Sequence, residues 1–141
     1  MVDNNLKLLA KNARNWTETI ASNTSNTSLC GYCAIGSSYL FILSKKYGYN
    51  DCKIIVNKDN SHCFNYFSSI NYIVDITSTQ FAIKKKIYIR RTFKDVWEKG
   101  EEFNSIKDFI DFQKNTRWST NQMLDAYLDM IEPHLLQKFF K

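Results

Sequence analysis

The chain has 141 residues, 15% of them aromatic, with one proline, four cysteines and a formal net charge of +5. That length suits one domain able to bury about two-thirds of its unfolded surface, and the aromatic content excludes global disorder. No apolar run reaches the roughly 20 residues of a membrane span, and the opening Met-Val-Asp-Asn-Asn lacks the basic-then-apolar pattern of a signal peptide. The expectation is therefore a cytoplasmic protein with no membrane partner. The basic charge admits a nucleic-acid or acidic-protein partner without requiring one. Oligomeric state is not legible.

Cys30, Cys33, Cys52 and Cys63 are read as reduced thiols, because nothing marks an oxidising compartment and a chain of this size does not need staples. Asn15-Trp-Thr, Asn23-Thr-Ser and Asn26-Thr-Ser match the glycosylation pattern. In a chain so rich in these residues, and without a secretion signal, they are read as chance.

Residues 5–22 place Leu6, Leu9, Ala10, Ala13, Trp16 or Thr17, and Ile20 at spacings of three and four, which predicts an amphipathic helix. Residues 23–29 are Asn, Thr, Ser and one Leu, a composition that competes with helical hydrogen bonding and favours a loop. A second helix is predicted to start between Gly31 and Cys33 and to run to about Tyr47, with Gly48 at its C-terminal end. It is apolar on most of its circumference. Such a helix belongs in the middle of a domain.

Cys52–Val56 reads as a buried strand and Asn57–Asn60 as a turn. His62–Phe67 and Tyr72–Ile76 then read as a hairpin around Ser68–Asn71. A loop of even length pairs Phe67 with Tyr72, and hence Phe64 with Asp75. His62 would then be the diagonal neighbour of Asp75 on one face. A loop of odd length would separate the two.

Beyond Thr77–Phe81 come Lys84, Lys85 and Lys86, then an expected edge strand over Ile87–Thr92. Residues 93–103 alternate charge and aromatics without a clear period. Helices are predicted over about 105–114 and 120–131, the second behind the capping box Ser119-Thr-Asn-Gln122. A short final helix is expected after Pro133. The basic cluster of Lys84, Lys85, Lys86, Arg90, Arg91 and Lys94 reads first as a solvated edge. Nucleic-acid binding there is possible but not favoured.

Cysteine at the start of a buried helix sits at the positive end of the helix dipole, which favours a thiolate and can hold a developing oxyanion. His62 is the histidine near the cysteines, and Asp75 lies between Val74 and Ile76, where a carboxylate is costly unless paired. Cys33, His62 and Asp75 therefore suggest a nucleophile, its base and the group that orients the base. Cys30 is the rival nucleophile. Asn65 and Gln80 are weaker candidates, and His134 reads as a surface residue. Zinc bound by Cys30, Cys33 and Cys52, His62 or Cys63 is the lesser reading, since no second Cys-x-x-Cys follows. A thiol redox site lacks its usual βαβ setting. No cofactor is expected.

Gly31-Tyr-Cys33-Ala resembles the Gly-x-Cys opening of the catalytic helix in transglutaminase-like proteins. His62-Cys-Phe-Asn-Tyr-Phe and Tyr72-Ile-Val-Asp75-Ile-Thr77 resemble their His-x-aromatic strand and the apolar-Asp-x-Thr strand that follows. The ending Asp75-Ile-Thr-Ser-Thr-Gln-Phe81 is similar to small bacterial and phage papain-fold proteins, toxins among them. The likeness covers residues 29–81. It implies an α+β, papain-like or transglutaminase-like domain over 1–141, with a central nucleophile helix on a small antiparallel sheet, flanking helices, and a helical C-terminal part over 104–141.

The resemblance further implies a Cys33–His62–Asp75 triad performing acyl transfer on a protein or peptide substrate, as a thiol protease, deamidase or transferase. Two departures concern the substrate: Ala34 stands where transglutaminases often carry an aromatic, and Cys63 where a small residue is common. No upstream residue matches the papain oxyanion glutamine. The alternative is an idle papain-fold binding protein that engages an acidic protein or nucleic acid through its basic face.

Overall fold

The computed structural model describes residues 4–22, 32–81 and 86–114, with the side chains of residues 22, 80, 81 and 114 left aside. Cys30, the loop over 23–29, the Gln80 side chain, Lys84, Lys85, His134 and the helices expected after residue 115 fall outside them.

Helix α1 (Asn4–Ser22) buries the stripe that periodicity predicts, from Leu6 through Ile20. Helix α2 (Cys33–Lys46) is buried at almost every position from Cys33 to Ser44. Trp16 of α1 stacks on Tyr39 of α2 with ring centroids 4.4 Å apart. At Gly36 the helix comes close to Thr17 and Ile76. A β-carbon there would lie 3.1 Å from the Thr17 hydroxyl and 3.0 Å from the Ile76 side chain. The helix ends as expected, with Gly48 in the left-handed region at φ 90°. Tyr47, expected to extend the apolar coverage, is instead 47% exposed.

Strands β1 (Cys52–Asn57), β2 (Cys63–Phe67), β3 (Tyr72–Asp75), β4 (Tyr88–Arg90) and β5 (Lys99–Phe103) form one antiparallel sheet in the order β4-β3-β2-β1-β5. The protein is thus α+β, with helix α3 (Ile106–Lys114) following β5. The β2–β3 hairpin has the even register: Phe67 pairs with Tyr72 and Asn65 with Val74. The edge strand expected over 87–92 is the shorter β4. Residues 93–103, where no period was visible, hold a single 3-10 turn (Asp95–Trp97) and β5 at the opposite edge. Lys-Gly-Glu-Glu-Phe has one strand-favouring residue, Phe103; pairing with β1 overrides the weak preference of the rest.

Alternation along the strands divides the core. Cys52, Ile54, Val56, Cys63, Phe67 and Val74 face the helices, while Ile55, Phe64 and Ile73 face away and are covered by Trp97. Among the described residues no helix is long and apolar enough to cross a membrane. Arg14 is buried at 3% exposure, against its place off the apolar stripe. Its guanidinium donates to the Ile76 carbonyl and the Thr79 hydroxyl, both at 2.9 Å, and so ties α1 to the chain leaving β3.

Strand β5 approaches β1 so closely that a β-carbon on Gly100 would sit 2.6 Å from the Asn57 carbonyl oxygen and 2.8 Å from that of Val56. Backbone cannot give way as a side chain can. Gly100→Ala should therefore lower the unfolding free energy by about 1–3 kcal/mol. Urea denaturation checks it, with an unchanged slope and an earlier midpoint.

Candidate active site

Cys33 is the first residue of α2, where helical N–H groups lack intrahelical acceptors. Tyr32 stands at the N-cap and supplies no side-chain cap, so the positive helix end falls at the thiol-bearing residue. His62 lies one residue before β2. Its backbone is clasped by Asn57: the Asn57 N–H donates to the His62 carbonyl at 2.9 Å, and the His62 N–H donates to Asn57 Oδ1 at 3.0 Å. Asp75 closes β3 at the same end of the sheet, because β2 and β3 run antiparallel.

The three residues come together. His62 Nε2 meets Asp75 Oδ2 at 2.7 Å, and the Cys33 thiol lies close enough to the His62 ring for each to shift the other's titration. His62 and Asp75 occupy the sheet face turned away from the helices. Cys33 reaches them from the helix side, past the strand ends. Cys63 faces the helices, 3.8 Å from the Ser37 hydroxyl, and its thiol is near enough to that of Cys33 for the two to shift each other's titration. Adjacent residues on opposite faces thus meet one sulfur, which is possible because it lies at the end of the strand rather than over its middle.

The Asp75 carboxylate is 1% exposed and has four donors. Oδ2 accepts from His62 Nε2 at 2.7 Å and from the Trp97 indole N–H at 2.8 Å. Oδ1 accepts from the Thr77 N–H at 2.9 Å and the Thr77 hydroxyl at 3.3 Å. The Asp-x-Thr spacing noted in the sequence has this physical use: the threonine backs the carboxylate with both its donors. Trp97 gave no signal in sequence, being a lone indole in a stretch without period.

The electrostatics follow from these contacts. The hydrogen bond from Cys63 does most to lower the Cys33 thiol; burial opposes it, and the His62 ring adds a further hydrogen bond and its charge, leaving the thiol at about 5. Burial alone would depress His62, but the charge and hydrogen bond of Asp75 outweigh it and push the imidazole up to about 10. Burial raises Asp75, and the His62 charge, with hydrogen bonds from His62 and Trp97, more than reverses this and holds it below the usual carboxylate range. Near neutral pH the arrangement is a thiolate, an imidazolium and a carboxylate.

Two other candidates among the described residues, Cys52 and Asn65, lie elsewhere. Cys52 lies against Ser44 and Asn65, near the far end of α2, and burial pushes its thiol up to about 12. Asn65 donates to the Ser37 carbonyl at 3.0 Å and braces β2 on α2, away from His62. Among the described residues no three His, Cys, Asp or Glu side chains are grouped to hold a metal. The described part of the basic segment is partly committed within the protein. Arg90 lies over the Tyr88 and Trp97 rings, Arg91 over Tyr72, and Lys86 pairs with Glu18 at 3.5 Å. A hollow of about 420 Å³ lies between Leu8, Leu9, Tyr47 and Tyr49, at the opposite end of α2 from Cys33.

No protein-family model matches the sequence, and no match is found among curated proteins or solved structures. The meaning of the site therefore rests on its own chemistry.

The ultraviolet absorbance of the thiolate, taken as the difference between the protein and its Cys33→Ala variant, should titrate at about 5. Asp75→Asn removes the anion that supports the imidazolium. It should move that midpoint up by at least about one pH unit.

Proposed function

We propose that the protein is a cysteine-dependent acyl-transfer enzyme of papain-like or transglutaminase-like architecture, in which Cys33 is the nucleophile, His62 its acid–base partner and Asp75 the group that orients the ring. The observation that carries this reading is a buried imidazole 2.7 Å from a buried carboxylate, with a thiol at a helix start close enough to feel the imidazole's charge. Order and setting, a helix cysteine, then a histidine at a strand start and an aspartate at a strand end, support the architecture.

In this reading the thiolate attacks the carbonyl carbon of an amide or ester. The oxyanion forms beside the Cys33 N–H, a donor of the kind worth on the order of 3 kcal/mol. The His62 imidazolium gives its proton to the departing amine or alkoxide, leaving a thioester on Cys33. Neutral His62 then takes a proton from water or from an incoming amine as it attacks the thioester, and the acid or new amide departs. Asp75 keeps its charge throughout and stabilises the imidazolium. Water as acceptor makes the protein a protease or deamidase, and an amine makes it a transferase. Protein or peptide is the proposed substrate class and the cytoplasm the proposed setting. Docking of an acidic partner is the lesser reading, since Arg90 and Arg91 are engaged by Tyr88, Trp97 and Tyr72.

Cys33 is only 4% exposed and His62 is enclosed, so the test uses a slender acyl donor. p-Nitrophenyl acetate should give a stoichiometric burst of nitrophenolate and an acetyl group mapped by mass to Cys33. Cys33→Ala should abolish the burst with its circular dichroism unchanged, and His62→Ala should slow it by about 10²–10⁴. A burst that survives Cys33→Ala, or an acetyl group on another residue, would overturn the proposal.

A further inference from the structure

The stretch without sequence period, 93–103, is built into the site. Trp97 is 3% exposed, and its N–H ends 2.8 Å from Asp75 Oδ2, the same oxygen that holds His62 Nε2. The indole is held on three sides. It stacks on Tyr88 with centroids 4.6 Å apart and planes 15° from parallel, and Tyr88 is the cross-strand partner of Asp75. Arg90 lies over both rings, 5.3 Å from the indole centroid, and donates to the Tyr88 hydroxyl at 2.6 Å. From below, Asn57 Nδ2 donates to the carbonyl of Val96 at 3.0 Å, and the Lys58 N–H donates to that of Glu98 at 2.7 Å.

Asn57 thereby joins two things. Its Oδ1 receives the His62 N–H, and its Nδ2 seats the residue before Trp97. A single buried amide sets the spacing between the backbone that carries the imidazole and the turn that carries the indole. Gly100, which admits no β-carbon against the Asn57 carbonyl, allows the strand after that turn to come close enough.

We infer that Trp97 is a positioning residue of the site, its N–H fixing Asp75 Oδ2 in line with the His62 ring while the indole covers that hydrogen bond, and that Asn57 sets the position of both. The inference rests on the acyl-transfer reading for the use of this alignment, not for the alignment itself. Physically, a carboxylate oxygen with two donors has its direction defined. Remove the indole donor and a buried oxygen is under-satisfied. The carboxylate then turns, hydrates or takes a proton more readily, and each outcome weakens its hold on the imidazolium. The groups that face this carboxylate and ring are Cys33 from α2, Cys63 from β2, Tyr88 from β4 with Arg90 over it, and Trp97 itself.

Trp97→Phe keeps a ring on Tyr88 and removes only the donor. Two measurements on the full chain decide its role. The first is the thiolate absorbance titration of Cys33, whose midpoint should move up by about one pH unit, the scale of one charge-assisted hydrogen bond. The second is urea unfolding at pH 7 and at about pH 2.5, below the unfolded carboxyl value of about 3.9. A carboxyl held low in the folded state stabilises above its unfolded value and loses that contribution as pH falls. The stability difference between the two pH values should therefore shrink in Trp97→Phe. An unmoved titration midpoint, together with an equal loss of stability at both pH values, would make Trp97 simple packing and overturn the inference. If Cys33 titrates as an ordinary thiol in the unmodified protein, the acyl-transfer reading falls, and the urea comparison alone judges Trp97. Should Trp97→Phe fail to fold, Trp97→Tyr serves in the same two measurements.

Discussion

The buried carboxylate of Asp75 is the constraint around which the sheet end is arranged. An ionised group at 1% exposure is tolerable only if its lone pairs are filled, and all the donors it has come from separate turns of chain: His62 before β2, Thr77 after β3 and Trp97 before β5. Each donor fixes a connection that would otherwise be free. The β1–β2 turn, the exit of β3 and the irregular stretch ahead of β5 are positioned together because one anion requires it.

The helix side meets the same point by packing. Gly36 lets α2 come close to Thr17 and Ile76, and Arg14 binds the carbonyl of Ile76, the residue after Asp75. The position of Cys33 relative to Asp75 is thus set through contacts only a few residues from each. The positive end of α2 faces a cluster whose net charge, with a thiolate, an imidazolium and a carboxylate, is negative. That sign is the one a helix N-terminus favours.

The elements with strong local signals were legible in the sequence. The stripe from Leu6 to Ile20, the all-round apolar Cys33–Ser44 and the even loop between Phe67 and Tyr72 each have a period that burial enforces. Register arithmetic alone put His62 beside Asp75. What stayed hidden depends on contacts between distant residues of no special composition. Lys99–Phe103 is a strand because β1 offers an edge, not because its residues prefer one. Trp97 matters through one N–H, and Asn57 through an amide that reads as an ordinary turn residue. Arg14 gave no signal, because helical spacing describes faces and not the Ile76 carbonyl oxygen that its guanidinium reaches.

Stability does not account for the arrangement. Three ionisable groups are withdrawn from water where apolar side chains of similar volume would pack without desolvation cost. Replacing a buried ion pair by such residues is often neutral or stabilising, whereas removing one partner costs about 3–5 kcal/mol. A fold under pressure for stability alone would have little use for the pair. The pairing also pushes the thiol and the imidazole in opposite directions, to about 5 and about 10, so that both are charged across the neutral range. That is the state nucleophilic catalysis by cysteine requires, and strongly displaced titrations with specific partners concentrate at functional sites. The cost in desolvation and the displaced titrations fall on the same atoms, and that coincidence is the physical ground for the proposed chemistry at this corner of the sheet.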